Sequence, residues 1–340
     1  MSSAVRTIDW DGGGVVLVDQ TLLPDRFALL RIGDTAGLCD AIRRLAVRGA
    51  PALGVAGALG VALAAVHGED VDAAAAALAG ARPTAVNLGW GVRRVLAARD
   101  GGAEAMLREA LAVRDEEIAV ERELARRGAD LVLSLCDPPV RVLTHCNTGA
   151  LACVESGTAL GAVVEMHNRG ALGHVVACET RPLLQGARLT AWELGRRGIE
   201  HSLVVDGAAA WVMHTGRVDA VLVGADRITA AGDVANKVGT LSHAIAAAHH
   251  GLPFVVVAPE STVDAAAETG DEIPIEERDA GEVLGWGGRR VAPEGTAAFN
   301  PAFDVTPAAL VTAVVTERRV VRPARGERLD GAGAGEPHRP

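Results

Sequence analysis

Residues that can carry proton chemistry stand directly after short apolar runs of this sequence. Cys146 closely follows the run Val140–Thr144, and Asp226 closely follows the run Ala220–Val223. A thiol and a carboxylate can both exchange protons with a small substrate. A helix predicted to open at Ala150 would favour the thiolate of Cys146, because helix N-termini stabilise negative charge. Two alternatives stay open, a buried structural cysteine and a carboxylate that only caps a helix.

Arginine and amide side chains at a similar position indicate an anionic or sugar ligand. Arg181, Gln185 and Arg188 come after the run Gly173–Ala177. Their hydrogen-bond donors suit phosphate and sugar oxygens. The alternative is that these residues are solvated at the end of a helix.

Lys237 is the only lysine among the 33 lysine and arginine residues of the chain. A chain that uses arginine at nearly every cationic position has little reason to keep one lysine on a solvated surface. Its compact ammonium group suits a phosphate or a catalytic carboxylate. Asn236 precedes it, and the pair is predicted to open a helix. A chance surface lysine is the alternative.

Two turns in the first third of the chain have the features of anion-binding sites. Arg48 precedes the small-residue turn Gly49–Pro51, where the free N–H groups of a starting helix can hold a phosphate. Arg82 precedes a similar turn in which Thr84 would cap the helix. An ordinary helix start with an incidental arginine is the alternative for both. A thiol, a carboxylate, one lysine and several arginines together indicate proton chemistry on a small phosphorylated compound.

Apolar runs that alternate with helical stretches must position these residues. Short, continuously apolar strands separated by helices are typical of a parallel sheet covered on both faces. Ligands of such sheets bind outside the carboxyl ends of the strands. The sequence therefore predicts an α/β fold with a Rossmann-like, doubly wound parallel-sheet domain. The predicted strands are Val140–Thr144, Gly173–Ala177, Ser202–Val205, Ala220–Val223 and Pro253–Ala258.

The sequence divides into three parts by composition. Residues 1–136 predict a small, mainly helical domain after a brief β start, with no strand between Gln20 and Asp130. Residues 137–325 predict the Rossmann-like catalytic domain, and residues 326–340, rich in Gly, Pro and charge, predict a disordered tail. The predicted helices of the first part are Thr35–Val47, Pro51–Val66, Asp72–Gly80, Asn87–Ala98 and Ala103–Arg127.

Charge and cysteine content exclude several classes of protein. A net charge of −10 argues against a nucleic-acid partner, because such proteins carry a basic face. The uncharged stretch Gly49–Val66 is at the lower limit for a membrane helix, but its Ala, Gly and Val content favours a buried helix. Five scattered cysteines without a C-x-x-C pair indicate a reduced, cytoplasmic protein with no zinc site.

Eight segments between about Ile8 and Val321 resemble the 5-methylthioribose-1-phosphate isomerase family of the methionine salvage pathway. In order, they are TIDWDGGGVVLVDQTLLP, VRGAPALGVAGALGVAL, RPTAVNLGWGV, THCNTGALA, ETRPLLQGARLTAWEL, VGADRITAAGDVANKVGT, TGDEIPIEERD and NPAFDVTPAALVTAVVTE. The resemblance implies a helical N-terminal domain, a Rossmann-like C-terminal domain and a homodimer. It also implies cofactor-free conversion of an aldose 1-phosphate to a ketose 1-phosphate, without a metal ion.

The resemblance also implies roles for individual residues. Cys146 and Asp226 match the catalytic pair of the family. The substrate-binding positions match Arg48, Gly49, Ala50, Arg82, Gln185, Asn236 and Lys237. Two alternatives remain within the same superfamily: an isomerase of 5-deoxyribose 1-phosphate or ribose 1,5-bisphosphate, and a non-catalytic regulatory subunit of the guanine-nucleotide exchange factor of translation initiation.

Overall fold

The computed structural model describes residues 6–83 and 85–330 and divides the chain into two units. Unit 1 comprises the residues up to Arg126 together with Asn147–Gly161, and unit 2 comprises Arg127–Cys146 and the chain from Ala162 onward. The composition of the sequence predicts one boundary, at residue 137. The two divisions differ because the chain returns to unit 1 directly after Cys146, and linker composition does not encode such a return.

Unit 1 is mainly helical, and its central helix is almost entirely buried. Its helices are α1 Thr35–Arg43, α2 Ala50–His67, α3 Val71–Ala81, α4 Val86–Leu96 and α5 Gly102–Leu135, of which the residues up to Arg126 belong to this unit. Among the described residues, α2 is the one helix long and apolar enough to cross a membrane. Its burial against α3 and α4 within unit 1 confirms the prediction of a buried core helix.

A small antiparallel sheet precedes these helices. It has the order β1 Ile8–Asp11, β2 Gly14–Val18 and β3 Leu29–Ile32. The prediction of no strand between Gln20 and Asp130 is therefore wrong at β3. Its residues form a strand through their ladder with β2, in which Val15 is paired with Ile32. Such tertiary pairing is invisible in a four-residue apolar segment.

Unit 2 contains a seven-stranded sheet and two smaller sheets. Its strands are β4 Val140–Thr144, β5 Leu172–Cys178, β6 His201–Val204, β7 Ala220–Val223, β8 Arg227–Thr229, β9 Val234–Lys237, β10 Phe254–Val257, β11 Val263–Asp264, β12 Gly285–Trp286, β13 Arg289–Arg290, β14 Phe303–Thr306, β15 Ala313–Val315 and β16 Val320–Val321. The main sheet has the order β16-β15-β10-β7-β4-β5-β6. All of its neighbours are parallel except β15 and β16.

This strand order is that of a doubly wound fold. Counted along the chain, the six parallel strands run 3-2-1-4-5-6, the order of the Rossmann sheet. Strands β7 and β10 are buried along their whole length. Their continuous apolar character follows from helices that cover both faces. The predicted α/β class and all five predicted strands are confirmed.

Further helices and sheets complete unit 2. Helix α6 Ala159–Asn168 begins at the end of the returning segment, and the remaining helices are α7 Ala191–Arg196, α8 Ala209–His214, α9 Thr240–His250 and α10 Gly281–Leu284. A four-stranded sheet has the order β11-β8-β9-β14, and β12 pairs with β13.

The beginning of the predicted tail is ordered. Leu329 is buried, and its N–H donates a hydrogen bond to the carbonyl of Ala230 at 2.9 Å. The side chain of Arg319 donates to the carbonyl of Leu329. The prediction of disorder is therefore wrong for residues 326–330, because one leucine in a polar segment finds an apolar site. Residues 331–340 lie outside the described residues.

Candidate active site at the carboxyl ends of the parallel strands

The strand order of the main sheet reverses between β4 and β7. These neighbours are parallel, with Thr144 paired with Leu222. Cys146 lies two residues beyond β4, and Asp226 lies three residues beyond β7. In doubly wound sheets the ligand crevice opens at this reversal, outside the carboxyl ends of the strands. The structure thus places the predicted thiol and the predicted carboxylate at the two strands that flank such a crevice.

Cys146 has an unusual backbone that hydrogen bonds fix on both sides. Its φ angle is 63°, in the left-handed region that few residues other than glycine adopt. Its N–H donates to Thr180 Oγ1 at 2.8 Å, and its carbonyl accepts from Thr190 Oγ1 at 2.7 Å. The residue is half-buried.

The predicted helix at Ala150 is absent. Residues Ala150–Ala152 form a single 3-10 turn, and the next α-helix begins at Ala159. A three-residue turn has no macrodipole comparable to that of a helix. The predicted stabilisation of a thiolate by a helix N-terminus is therefore wrong, because the residues after Gly149 turn back into unit 1 instead of continuing as a helix.

The segment after β5 contacts the backbone of Cys146 through Thr180 and Thr190, and it also carries Gln185. Gln185 is buried, and its Oε1 has no hydrogen-bond partner among the described residues. The next residue has to be glycine, because a Cβ at Gly186 would lie 1.7 Å from the carbonyl oxygen of Cys178. This close approach fixes the backbone beside Gln185. A buried amide oxygen without a partner fits a residue that awaits a ligand.

Arg181 and Arg188, the other donors of this segment, have different surroundings. The guanidinium of Arg181 donates to the carbonyls of Pro182 and Glu282 and lies 5.1 Å from the centre of the Trp286 ring. Arg188 donates to the carbonyl of Leu183 at 3.4 Å. The contacts of Arg181 with Glu282 and Trp286 therefore fix the chain near β12, and its ligand role stays a prediction.

The β8–β9 hairpin brings Asp226, Asn236 and Lys237 together. The N–H of Asp226 donates to the carbonyl of Ala235 at 2.9 Å. Asn236 and Lys237 are the last two residues of β9 and are buried. The prediction that they open a helix is wrong: Gly239, with φ of 105°, ends the strand segment and α9 begins at Thr240.

Lys237 and Asn236 are held in place within unit 2. Lys237 Nζ donates to the carbonyl of Ala302 at 2.7 Å and lies 4.5 Å from the centre of the Phe303 ring. Asn236 Nδ2 donates to Thr240 Oγ1 at 3.0 Å. A buried, desolvated ammonium group interacts strongly with an anion. The position of Lys237 therefore supports the predicted specific site over a surface lysine.

Asp304 lies on β14 opposite Asn236. Its carboxylate accepts the N–H groups of Gly239 at 2.7 Å and Leu241 at 3.2 Å, at the start of α9. Burial raises the pKa of Asp304 to about 6, although these N–H bonds and Lys237 favour the ionised form. The carboxylate holds the backbone between Lys237 and α9.

His145, the residue before Cys146, forms a buried pair with His243. His145 Nε2 donates to the carbonyl of Val238 at 2.8 Å, which leaves Nδ1 as the acceptor for His243 Nε2–H at 3.1 Å. Burial lowers the pKa of His145 to about 4 and that of His243 to about 3. Both rings are therefore neutral at pH 7, and they connect the Cys146 loop to the residue after Lys237.

The same pair belongs to the one group of described residues with the spacing of a metal site. The ligand atoms of His145, Cys178 and His243 lie within 4.8 Å of one another. Burial raises the pKa of the Cys178 thiol, so it carries no charge. Both nitrogens of His145 are already hydrogen-bonded, and a metal ion would have to replace one of these bonds.

Within unit 1, Arg48 and Gly49 lie against the segment that begins at Asn147. Arg48 Nε donates to Gln20 Oε1 at 3.1 Å, and its Nη1 donates to the carbonyl of Asn147 at 3.1 Å. Gly49 has φ of 96°, and a Cβ there would lie 2.2 Å from the carbonyl oxygen of Ala152. The close approach requires glycine at this position.

The remaining residues of unit 1 lie at helix ends. Ala50 is the first residue of α2 and is followed by Pro51, so its N–H has no partner inside the helix. Arg82 follows α3 and is half-buried. Thr84, the predicted cap, lies outside the described residues.

Comparison with known proteins places this chain in a family. A model of the "Initiation factor 2 subunit family" matches residues 46–323. This chain belongs to that family. A probable bifunctional methylthioribose-1-phosphate isomerase/methylthioribulose-1-phosphate dehydratase of Nocardia farcinica is 56% identical over 324 residues, which cover 93% of this chain and 59% of that protein. This chain therefore spans about three fifths of that relative.

Two other proteins match along nearly their whole length. The methylthioribose-1-phosphate isomerase of Anaeromyxobacter sp. strain K is 55% identical over 311 residues, 91% of each chain. The crystal structure of the 5-methylthioribose 1-phosphate isomerase of Pyrococcus horikoshii is 40% identical, with a TM-score of 0.88, and covers 94% of this chain and 93% of that chain.

Three residues of unit 2 that hold the Cys146 backbone, directly or through one another, were missed from the sequence: Thr180, Thr190 and Asp206. Asp206 lies two residues after the end of β6, as Cys146 lies two residues after the end of β4, so the rule of strand ends could have found it. The two threonines gave no signal, because their bonds to Cys146 join segments far apart in the chain.

Proposed function

We propose that this chain is a 5-methylthioribose-1-phosphate isomerase that forms 5-methylthioribulose 1-phosphate in methionine salvage. One observation carries the proposal: Cys146 and Asp226 flank the reversal of strand order in the main sheet. The identity to proteins that carry this name supports the choice of substrate. The dehydratase activity in the name of the longer Nocardia relative is not part of the proposal.

The chemistry explains why an acid–base pair is required. C1 of the substrate carries a phosphate ester, so the ring cannot open to a free aldehyde as ordinary aldoses do. The enzyme must assist ring opening and then move hydrogen from C2 to C1. We assign Asp226 as the acid/base for the ring and hydroxyl oxygens, and Cys146 as the group that shuttles a proton or stabilises the transition state.

The remaining residues supply binding groups for the phosphate and the sugar. Lys237 offers a buried ammonium group, and Gln185 offers a buried amide. In unit 1, the first turn of α2 at Gly49 and Ala50 presents free N–H groups of the kind that bind phosphate. We assign Arg48, Arg82 and Asn236 to the same binding function.

The test is turnover of 5-methylthioribose 1-phosphate without added cofactor. We expect Cys146→Ala and Asp226→Asn each to lower kcat by about 10²- to 10⁴-fold, the contribution of a positioned acid or base. Cys136→Ala is the matched control, because Cys136 is another half-buried thiol of unit 2. Its thiol contacts the carbonyl of Asp219, and we expect its loss to leave kcat within twofold.

Turnover of other sugar 1-phosphates, measured in the same assay, separates this proposal from its alternatives. Higher kcat/KM for 5-deoxyribose 1-phosphate or ribose 1,5-bisphosphate would replace the methylthio substrate with one of these. Tight binding of a sugar phosphate without any turnover would favour a regulatory subunit. Full activity in both the Cys146→Ala and Asp226→Asn variants would overturn the assigned pair.

We also propose a homodimer in the cytoplasm. Helices α8 and α9 of unit 2 expose large apolar side chains, with Trp211 66% and Ile245 54% exposed. Trp211 stacks on His214, and the His214 ring contacts His250 of α9. Exposed apolar and aromatic side chains on two helices suit a second copy of the same chain, because a twofold interface repeats one patch on both subunits. Five free thiols suit a reducing compartment.

The oligomer is tested by light scattering after size exclusion. We expect the native chain to have twice the monomer mass and Trp211→Glu to shift it towards the monomer. Phe299→Glu is the matched control, because Phe299 is 76% exposed on a different segment. A monomeric native chain, or an unchanged dimer in Trp211→Glu, would exclude this surface.

A further inference from the structure

We propose that Thr180 and Asp206 are positioning residues that hold Cys146 in the geometry its chemistry needs. The inference rests on the proposed role of Cys146 and extends it to two residues that do not belong to the assigned pair. It is carried by a chain of hydrogen bonds within unit 2, which runs from the Asp206 carboxylate through Thr180 to the backbone of Cys146.

The first link is the Cys146 backbone itself. A non-glycine residue with φ of 63° has a less stable backbone than an extended one and persists only where its surroundings hold it. The N–H of Cys146 has Thr180 Oγ1 as its acceptor at 2.8 Å. Without that acceptor, a relaxation to negative φ would swing the thiol away from its present direction.

The second link is the orientation of the Thr180 hydroxyl. Thr180 is completely buried, and its Oγ1 donates its hydrogen to the carbonyl of Cys178 at 3.0 Å. A hydroxyl has one hydrogen, so a lone pair of Oγ1 faces the Cys146 N–H. Thr180 therefore acts as a fixed acceptor.

The third link is the carboxylate that fixes Thr180. Thr180 also has a positive φ, 65°, and its N–H donates to Asp206 Oδ1 at 2.8 Å. The next N–H, of Arg181, donates to Asp206 Oδ2 at 2.7 Å. One carboxylate thus holds two successive amides. Both left-handed residues, Thr180 and Cys146, depend on the same short chain of bonds.

The experiment measures both catalysis and the reactivity of the thiol. Thr180→Val keeps the shape of the side chain and removes the acceptor, whereas Thr180→Ser keeps the acceptor. We expect Thr180→Val to lower kcat by about 10- to 100-fold with KM within threefold, since small misplacements of reacting groups cost that much. Thr180→Ser is expected to restore kcat to within about threefold of the native value.

The thiol readout does not depend on turnover. Alkylation by iodoacetamide, followed by peptide mass spectrometry, gives the rate at Cys146 relative to the rate at Cys136 in the same molecule. We expect this ratio to change at least about fivefold in Thr180→Val and in Asp206→Asn. If the native enzyme turns over no 5-methylthioribose 1-phosphate, the proposed function fails, while this ratio still decides the positioning inference.

Asp219→Asn is the matched control for Asp206→Asn. Asp219 also accepts a backbone N–H in unit 2, that of Arg141 at 2.8 Å, but it has no link to Cys146. We expect Asp206→Asn to lower kcat about tenfold and Asp219→Asn to leave it within twofold. Alkylation ratios and kcat within twofold of native in both Thr180→Val and Asp206→Asn would overturn the inference. Asp206→Asn decides it alone if Thr180→Val does not fold.

Discussion

Two carboxylates fix backbone segments that follow Cys146, one in each unit. In unit 1, Glu121 of α5 accepts four consecutive backbone N–H groups, those of residues 154–157. In unit 2, Asp206 accepts two, those of Thr180 and Arg181. Glu121 is completely buried, whereas the side chain of Asp206 is 26% exposed.

The difference in burial separates a folding role from a positioning role. Burial raises the pKa of Glu121, although its four N–H bonds favour the ionised form. If Glu121 is removed, four donors lose their acceptor, and for buried Val154 and Gly157 water does not readily replace it. The Asp206 carboxylate is partly exposed and accepts only two N–H groups, those of buried Thr180 and half-buried Arg181, so we expect its loss to cost less folding free energy than the loss of Glu121. We therefore expect the two carboxylates to differ in what their removal changes.

Glu121→Ala gives the largest expected effect. Its loss leaves four N–H groups without an acceptor, two on buried and two on half-buried residues, at about 1 kcal/mol each, so we expect the free energy of unfolding to fall by about 4 kcal/mol. Urea denaturation followed by circular dichroism measures the change. Glu116→Ala is the matched control on the same helix, because the exposed Glu116–Arg94 ion pair contributes less than about 1 kcal/mol. If Glu121→Ala lowers the free energy of unfolding by less than about 1 kcal/mol, Glu121 does not have the folding role that distinguishes it from Asp206.

The histidine pair of unit 2 gives the next largest effect, and it depends on pH. Burial lowers the pKa of His145 from 6.5 to about 4. Between these values the unfolded chain binds more protons than the folded chain, so stability is lost as the pH falls. For His145 alone the loss from pH 7 to pH 4 is about 3 kcal/mol. Urea denaturation at a series of pH values measures it.

His243→Gln separates the two rings. Glutamine keeps an N–H donor for His145 Nδ1 but cannot be protonated, so we expect the loss of stability on acidification to become smaller. His167→Gln is the control, because His167 is exposed on α6. An identical pH dependence in native, His243→Gln and His167→Gln proteins would show that the acid sensitivity comes from other groups.

The sequence predicts those parts of the fold and site that depend on local pattern. Valine-rich runs predict the parallel strands, and the positions of Cys146 and Asp226 just beyond β4 and β7 follow from those runs. The unusual use of one lysine identifies Lys237, which is buried in the structure.

The errors concern features that depend on distant partners. Asn236 and Lys237 end a strand and do not start a helix, because β9 pairs with β14 about seventy residues later. Thr180 has no local signature, since its bonds to Cys146 and Asp206 form only once β5 lies between β4 and β6. Leu329 is ordered through its bond to Ala230, nearly one hundred residues before it.

Asp206→Asn gives the smallest expected change in stability and the sharpest form of the comparison. The amide keeps one acceptor oxygen and turns an N–H group towards the other backbone donor, so we expect the free energy of unfolding to fall by about 1 kcal/mol. Urea denaturation beside Glu121→Ala measures it at pH 7. A loss as large as that of Glu121→Ala would give Asp206 the same folding role as Glu121. A small loss in the free energy of unfolding, together with a tenfold fall in kcat, would show that Asp206 acts mainly by positioning Cys146 and contributes little to folding.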